Sequence, residues 1–330
     1  MTKLNGAAQI RALADEFLLN GVFSIETPIE YGSYSFVPIT VEKEHNTTDY
    51  LNAAEALETG DLVISEVGDA VESILAKNNS KRPILIEASE VLQGNGSQDR
   101  IMLESVILQP GEERRIAVKC VHAPHPLRGG TKFSSIGASG EGLRKSIFRQ
   151  KYSSIMTDVD HYSPAGAVDQ SGVWADVGDG GREAKSSDPT KYTETLEKKQ
   201  KDIQKVAKQV RDKLPPRTSG LIVLNREGGI QAFELYRSSR AFEARKGFIE
   251  SILMDKALTE TWPLEPEAAW VMAIQLVYRM REITDGDVIV QKDSDNLHIG
   301  FDDLVGEAIV GTNPTSSQMS VLYCTLSTSS

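Results

Sequence analysis

Gln98, Asp99 and Arg100 stand in a row where the stretch SEVLQGNGSQDRIM, Ser89 to Met102, joins two apolar runs. An amide, a carboxylate and a guanidinium at a strand end suit a polar, anionic ligand, because a guanidinium grips a phosphate or carboxylate at two points. Strand alternation puts Gln98 and Arg100 on one face and Asp99 on the other. Asn95-Gly96 reads as a type I′ hairpin turn, which accounts for the glycines without a phosphate. No Gly-Lys-Ser/Thr follows, so the loop is not a P-loop. Arg100 is expected either to hold an anion or to pair with Glu90 across the hairpin. Glu90 and Asp99 are the candidate catalytic acid/base groups, and Gln98 is a candidate ligand contact.

Three other constellations have chemistry in reach. Cys120, His122 and His125 have a spacing that suits zinc, with Asp160 or His161 as a fourth ligand. Cys120, however, alternates in phase with Ile116 and Val118, which points to a packing cysteine and to no metal. An apolar face would also raise its thiol pKa and so make it a poor nucleophile. Asp169 and Gln170 offer polar contacts and Trp174 a stacking face; the competing reading is a capped short helix whose Trp plugs the core. The stretch GASGEGLRK would present glycine amides and a helix N-terminus, with Arg144 and Lys145 beside them, to an anion. Arg128 is a further candidate phosphate contact.

The charge distribution bears on all of these. The chain carries a net −11 over 330 residues, which argues against general nucleic-acid or anionic-membrane binding. Yet Arg114 to Thr157 holds nine Lys/Arg and a single acid, Glu141, so this segment is +8 and the remainder −19. Such a reversal implies a site for a phosphate-bearing or acidic ligand, or a basic surface that pairs with the protein's own acids. Two cysteines far apart imply no disulfide framework. The first twenty residues carry Arg11, Asp15 and Glu16 where a signal peptide is apolar, and a cytoplasmic protein is expected.

The elements that must position these groups read as α+β: a mainly antiparallel, sandwich-like sheet core covered by helices, with a long Gly/Ser-rich middle segment. Residues Ala7 to Asn20 have helical spacing. YSFVPITVEK is a strand, and TTDYLNAAEALETGDLVISEV is an Asp-capped helix, a Gly stop and a strand. Pro110-Gly111 marks a turn between β-rich runs. His122 to Asp188 shows one clear helix, GEGLRKSIFRQKYSSI. Asp188-Pro189 opens a charged helix through Leu214. GLIVLNREGGIQAFELY is a hairpin, followed by a helix over SRAFEARKGFIESILMDKAL. Pro266 to Ile283 is apolar on most faces and is expected to be central and buried. Four closing strands follow. The expected organisation is an N-terminal helix over residues 1–24 and one domain over 25–330, with a possible subdivision near 188.

In this order the segments resemble the ARPP-1 family, a group of uncharacterised prokaryotic domains. The resemblance rests on RPILIEASEVLQGNGSQDRI, LQPGEERRIAVKCV, DQSGVWADV and GGIQAFELYRSSRAFEARKGFIESILMDKAL, and on the closing LVGEAIVG and VLYCTL. Asp99 departs from it, standing where the family pattern usually has Asn. The family is tied by genomic association to ADP-ribose and NAD metabolism, so the resemblance implies a nucleotide-like, phosphate-bearing ligand. Arg100, Arg128, Arg144 and Lys145 would hold phosphates, and Gln98, Asp169, Gln170 and Trp174 would line the site. The alternative is a non-catalytic, self-assembling or scaffold protein whose basic segment docks on an acidic surface, which leaves a homo-oligomer open. The two differ in geometry: a ligand site needs these residues in one concavity, a scaffold needs them spread over a convex face.

Overall fold

The computed structural model describes residues 5–42, 50–67, 72–94, 97–123, 128–245, 247–254, 264–292, 294–312 and 319–329. The chain opens with α1 (Gly6–Leu18), β1 (Phe23–Ile25), β2 (Ile29–Tyr31) and β3 (Tyr34–Val41). β4 (Leu51–Asn52) runs into α2 (Ala53–Thr59), followed by β5 (Leu62–Glu66), β6 (Ser73–Asn78), β7 (Ile84–Ile86) and β8 (Glu90–Gly94). Then come β9 (Arg100–Met102), β10 (Val106–Leu108), β11 (Glu113–Cys120) and β12 (Phe133–Ala138). A helical stretch follows: α3 (Glu141–Thr157), α4 (Pro164–Ala167), α5 (Gln170–Glu183) and α6 (Tyr192–Arg211). The hairpin β13 (Thr218–Asn225) and β14 (Ile230–Tyr236) leads to α7 (Ser239–Ala244), α8 (Phe248–Met254) and α9 (Pro266–Glu282). β15 (Val288–Val290), β16 (Asn296–Phe301), β17 (Leu304–Thr312) and β18 (Met319–Thr328) close the chain.

The fold is α+β, with three sheets that are antiparallel apart from the β4–β7 pair. The largest runs β1-β3-β13-β14-β18-β17-β16-β15, with β2 also on β3. A six-stranded sheet runs β12-β8-β9-β11-β6-β5, and a small one runs β10-β7-β4. Alternation gives the large sheet two different faces. One is apolar: Val37, Ile222, Phe233, Cys324, Ala308 and Leu297 pack under α1 and α9. The other faces α3, α6, α7 and α8 and mixes Leu221, Tyr236, Tyr323 and Ile309 with buried charge. The smaller sheets close over their own core of Ile64, Ile74, Leu92, Met102 and Val118, with Ala53 and Ala56 of α2.

Several boundaries differ from the pattern in the sequence. Asn52 caps α2, its side chain accepting from the Ala54 amide, and the Asp expected in that role, Asp49, lies outside the described residues. Gly60 stops α2 as expected, at φ +79°, a conformation in which a Cβ would be strained. The middle segment holds α4 and α5 besides α3; Gly172, Gly178, Gly180 and Gly181 hide α5 from a propensity reading. α6 begins at Tyr192, not at Asp188, whose side chain instead accepts from Thr190. α9 buries one face, Ala269, Ala273, Leu276, Val277 and Met280, and exposes Trp270, Val271 and Tyr278, so it is a surface helix and not a central one. Among the described residues no helix is long and apolar enough to cross a membrane.

Candidate functional site

Four polar residues stand in register across four neighbouring strands of the large sheet. Glu234 on β14 pairs with Thr325 on β18, Thr325 with Glu307 on β17, and Glu307 with His298 on β16. All four are buried. Charged groups in a sheet interior cost several kcal/mol each unless they are paired and hydrogen-bonded, and facing elements supply the partners. α3 contributes two cations seven residues apart, hence on one helix face. Arg144 pairs with Glu234 at 3.3 Å and donates to Thr325 Oγ1. Lys151 Nζ donates to Glu307 Oε2 at 2.6 Å. The Ser105 amide donates to the other oxygen of Glu307 at 2.7 Å. His298 Nε2 meets Gln291 Oε1 at 2.9 Å. Burial, with Lys151 nearby, pushes His298 down to about 3, so it is neutral; burial alone would raise Glu307, but the charge of Lys151 and the hydrogen bonds from Lys151 and Ser105 keep it low.

At the Glu234 end the belt widens into a cluster. The turn between β7 and β8 contains Ser89 at φ +62°, and it brings Glu87 and Glu90 into the same interior. Glu90 pairs with Arg245, which follows α7, and accepts from Ser135 Oγ. Arg245 Nε reaches Glu234 Oε1 at 3.2 Å. Tyr236 and Tyr323 donate to that same oxygen at 2.8 and 3.1 Å. Tyr236 also lies within hydrogen-bond reach of Glu87 Oε1 at 3.1 Å, and Asn52 Nδ2 donates to it. Glu87 is fully buried; desolvation raises it to about 8, against the pull of Arg245 and with the help of Glu90 and Glu234. It therefore holds a proton at neutral pH. With Glu87 neutral, Glu90 and Glu234 face Arg144 and Arg245, with Glu141 also acting on Arg144, and Glu307 faces Lys151 with Glu104 nearby. Glu87 Oε2, Ser89 Oγ, Arg144 Nε and Arg245 Nη2 are buried and have no hydrogen-bond partner among the described residues.

One member of the cluster reaches a cavity. A pocket of about 310 Å³ opens between the end of α6 and the α7–α8 pair, and Arg245 lines it. Its walls are Leu214, Pro215, Pro216, Phe242, Phe248 and Ile249. Arg211 stands at the same pocket, paired with Glu250 at 2.5 Å. A second, more open groove of about 380 Å³ lies between α3, α5 and α6; it sets Lys145, Arg149 and Lys199 against Asp176, Asp179 and Glu183.

Of the residues singled out from the sequence, Asp99, Arg100, Gln170 and Trp174 gather around Cys120, while Arg144 and Lys145 are engaged elsewhere. Arg100 is fully buried and paired with Glu66, not with Glu90, and its Nη1 donates to Gln98 Oε1 at 2.6 Å. Asp99 is buried and accepts from the Gly94 amide and from Thr193 Oγ1. Asp169 caps α5, accepting from the Gly172 amide at 2.7 Å. Gln170 bridges the backbone of Cys120, accepting from its N–H and donating to its C=O. Trp174 is 40% exposed and plugs no core. Arg128 is exposed, Arg144 is spent on the belt, and Lys145 lines the second groove. Asn95, Gly96 and His125 lie outside the described residues. Cys120 is buried like Ile116 and Val118, its thiol donates to the His122 carbonyl at 3.1 Å, and burial pushes that thiol up. Among the described residues no group of three or more His, Cys, Asp or Glu is arranged to hold a metal.

The +8 segment divides accordingly. Lys119, Arg144 and Lys151 are buried, each on an acid from elsewhere in the chain: Glu72, Glu234 and Glu307. Much of the local charge reversal is internal pairing. Glu87, Glu234, Arg245 and Glu307 escaped the sequence reading. The signal for two of them was present: Glu234 and Glu307 each interrupt an apolar alternation inside a central strand.

A match to the ARPP-1 family, described as the ARG and Rhodanese-Phosphatase-superfamily-associated Protein domain, covers residues 23–292. The chain belongs to this family. No curated protein and no solved structure matches it. The matched residues run from β1 through β15. They include Glu87, Glu90, Arg144, Lys151, Glu234 and Arg245, while Glu307 and Thr325 lie beyond the match.

Proposed function

We propose that this ARPP-1 protein binds a small phosphate-bearing molecule of nucleotide-like build in the pocket beside Arg245. The observation that carries the reading is the pairing of apolar and cationic walls there. Phe242 and Phe248 with Pro216 and Leu214 offer faces for a planar ring, and Arg245 and Arg211 offer guanidinium groups for an anion. Arg245 is held by Glu90 and Glu234 and keeps one buried nitrogen, Nη2, without a partner among the described residues. A volume of about 310 Å³ is at the small end for ligand pockets, roughly 300–1,000 Å³. It accommodates one ring and one anionic group; a dinucleotide such as NAD would extend into solvent. The family's name, which records association with ARG and the rhodanese-phosphatase superfamily, is compatible with a phosphorylated ligand. Of the residues expected from the sequence, Glu90 belongs to this site, acting through Arg245.

A thermal-shift screen with mononucleotides, ADP-ribose, NAD, pyrophosphate and inorganic phosphate tests the proposal. A mononucleotide should raise the melting temperature, and Arg211→Lys, which keeps a cation for Glu250 but loses the two-point grip on an anion, should shrink the shift while leaving the unliganded melting temperature near that of the wild type. If no phosphate compound shifts the wild-type protein, the reading fails.

A further inference from the structure

The exposed side of α9 carries Trp270, Val271 and Tyr278 with Gln275 among them, and Glu267, Arg281 and Glu282 toward its ends. Trp270, Val271 and Tyr278 are 41%, 41% and 52% exposed, and Ile274 between them is half-buried. The Trp270 ring is fixed by a hydrogen bond from Nε1 to the Ile25 carbonyl. Glu267 and Arg281 are exposed and lie seven residues to either side of Ile274. Seven residues are nearly two helical turns, so Glu267, Ile274 and Arg281 fall on one line. Trp270 and Tyr278 lie four residues to either side of Ile274 and flank that line.

This order is self-complementary. Two such helices packed antiparallel about a two-fold axis at Ile274 set Glu267 of each copy against Arg281 of the other, and Trp270 against Tyr278. The same reversal also opposes the two helix dipoles favourably. A parallel pairing would instead oppose Glu267 to Glu267 and Arg281 to Arg281. Arg281 is held at the edge of this face by Asp15 of α1, at 2.8 Å from its Nε, which leaves the outer nitrogens of the guanidinium for a partner. We propose that α9 is the dimerisation face of this protein and that its occupant is α9 of a second copy, antiparallel, with the axis at Ile274. The proposal is independent of the ligand pocket, which lies on the opposite side of the large sheet. α9 has 17 residues, roughly 25 Å at 1.5 Å per residue. That is a small interface, so association is reversible and concentration-dependent.

Sedimentation of the full chain over a dilution series should show a monomer–dimer equilibrium. Glu267→Arg and Arg281→Glu should each weaken it by roughly tenfold or more, because each sets like charges together at two symmetric places. The double variant exchanges the charges and should recover most of the association. Ile274→Cys should form a disulfide-linked dimer under mild oxidation; both native cysteines are buried and do not compete. Monomer at every concentration overturns the proposal. So does a dimer in which Ile274→Cys fails to cross-link, or one in which the double variant is no better than the singles.

Discussion

Glu87 makes the sharpest statement the buried cluster offers to experiment. Its carboxyl is pushed from 4.5 to about 8, first by desolvation and then by Glu90 and Glu234, against Arg245. Unfolding returns it to the ordinary value. Below about pH 4.5 both states hold the proton and Glu87 contributes nothing to the pH dependence. Between 4.5 and 8 the folded state keeps a proton that the unfolded chain releases, so stability falls as pH rises, by about 1.4 kcal/mol per pH unit. The whole loss is on the order of 5 kcal/mol and levels off once the folded carboxyl also ionises. Glu87→Gln removes the titration while keeping an oxygen for Asn52 and Tyr236. The measurement is urea unfolding of both proteins from about pH 5 to about pH 9. Other buried carboxyls titrate in both proteins, so the difference between the two curves isolates Glu87. The amide variant should gain on the wild type steadily as pH rises and be the more stable protein at the alkaline end. Parallel curves would mean that Glu87 ionises normally inside the fold, and the charges assigned above to the cluster would then be wrong by one.

Arg100→Leu should cost about 3–5 kcal/mol, the scale for stranding one partner of a buried pair, because Glu66 is left in the interior; unchanged unfolding by denaturant would return Arg100 to the list of free ligand contacts. Cys120 and Cys324 are both buried, and burial raises both thiols, so a thiol reagent should label neither in the native protein and both after unfolding. Rapid native labelling of Cys120 would revive it as a reactive group.

How far the sequence carries depends on the range of the interaction. Strand alternation and turn residues act within a few positions, and they are enough to place β3, β13–β14 and the closing strands. The phase of Cys120 with Ile116 and Val118 is a local signal of the same kind, and all three are buried. Asp169 as a cap belongs here too, since the cap and its amide are three residues apart. Partner choice is not local. Arg100 chooses Glu66, 34 residues away, because the six-stranded sheet curls until its β5 edge meets the start of β12, where Ser65 bridges Lys132 and the Glu66 amide donates to the Thr131 carbonyl, and nothing in the alternation of either strand encodes that closure. The same holds for Arg245 and Glu90, 155 residues apart. α9 shows a different failure. Its composition is apolar on most sides, yet a sheet can cover only one face of a helix, and what lies over the other is a question composition does not answer.

The belt itself separates what holds the fold from what is offered to a ligand. Glu307, Lys151 and the Ser105 amide satisfy one another, and His298 is neutral beside them; that end has the character of a register lock. A one-residue slip of β17 would turn Glu307 onto the apolar face under α1 and α9 and away from Lys151. Gly306 adds to the lock: a Cβ there would collide with the Thr325 carbonyl across the pair. The Glu234 end is built differently. One carboxylate oxygen faces Tyr236, Tyr323 and Arg245 at once, a neutral acid stands beside it, and four buried polar atoms of the cluster lack partners among the described residues. A purely structural cluster gains nothing from unmade hydrogen bonds, each costing about 1–3 kcal/mol. Arg245 is the member that both leaves such an atom unmade and lines a pocket. The proposed ligand is therefore to be sought at Arg245, where Glu234 and Glu90 hold the guanidinium in place beside the buried Glu87.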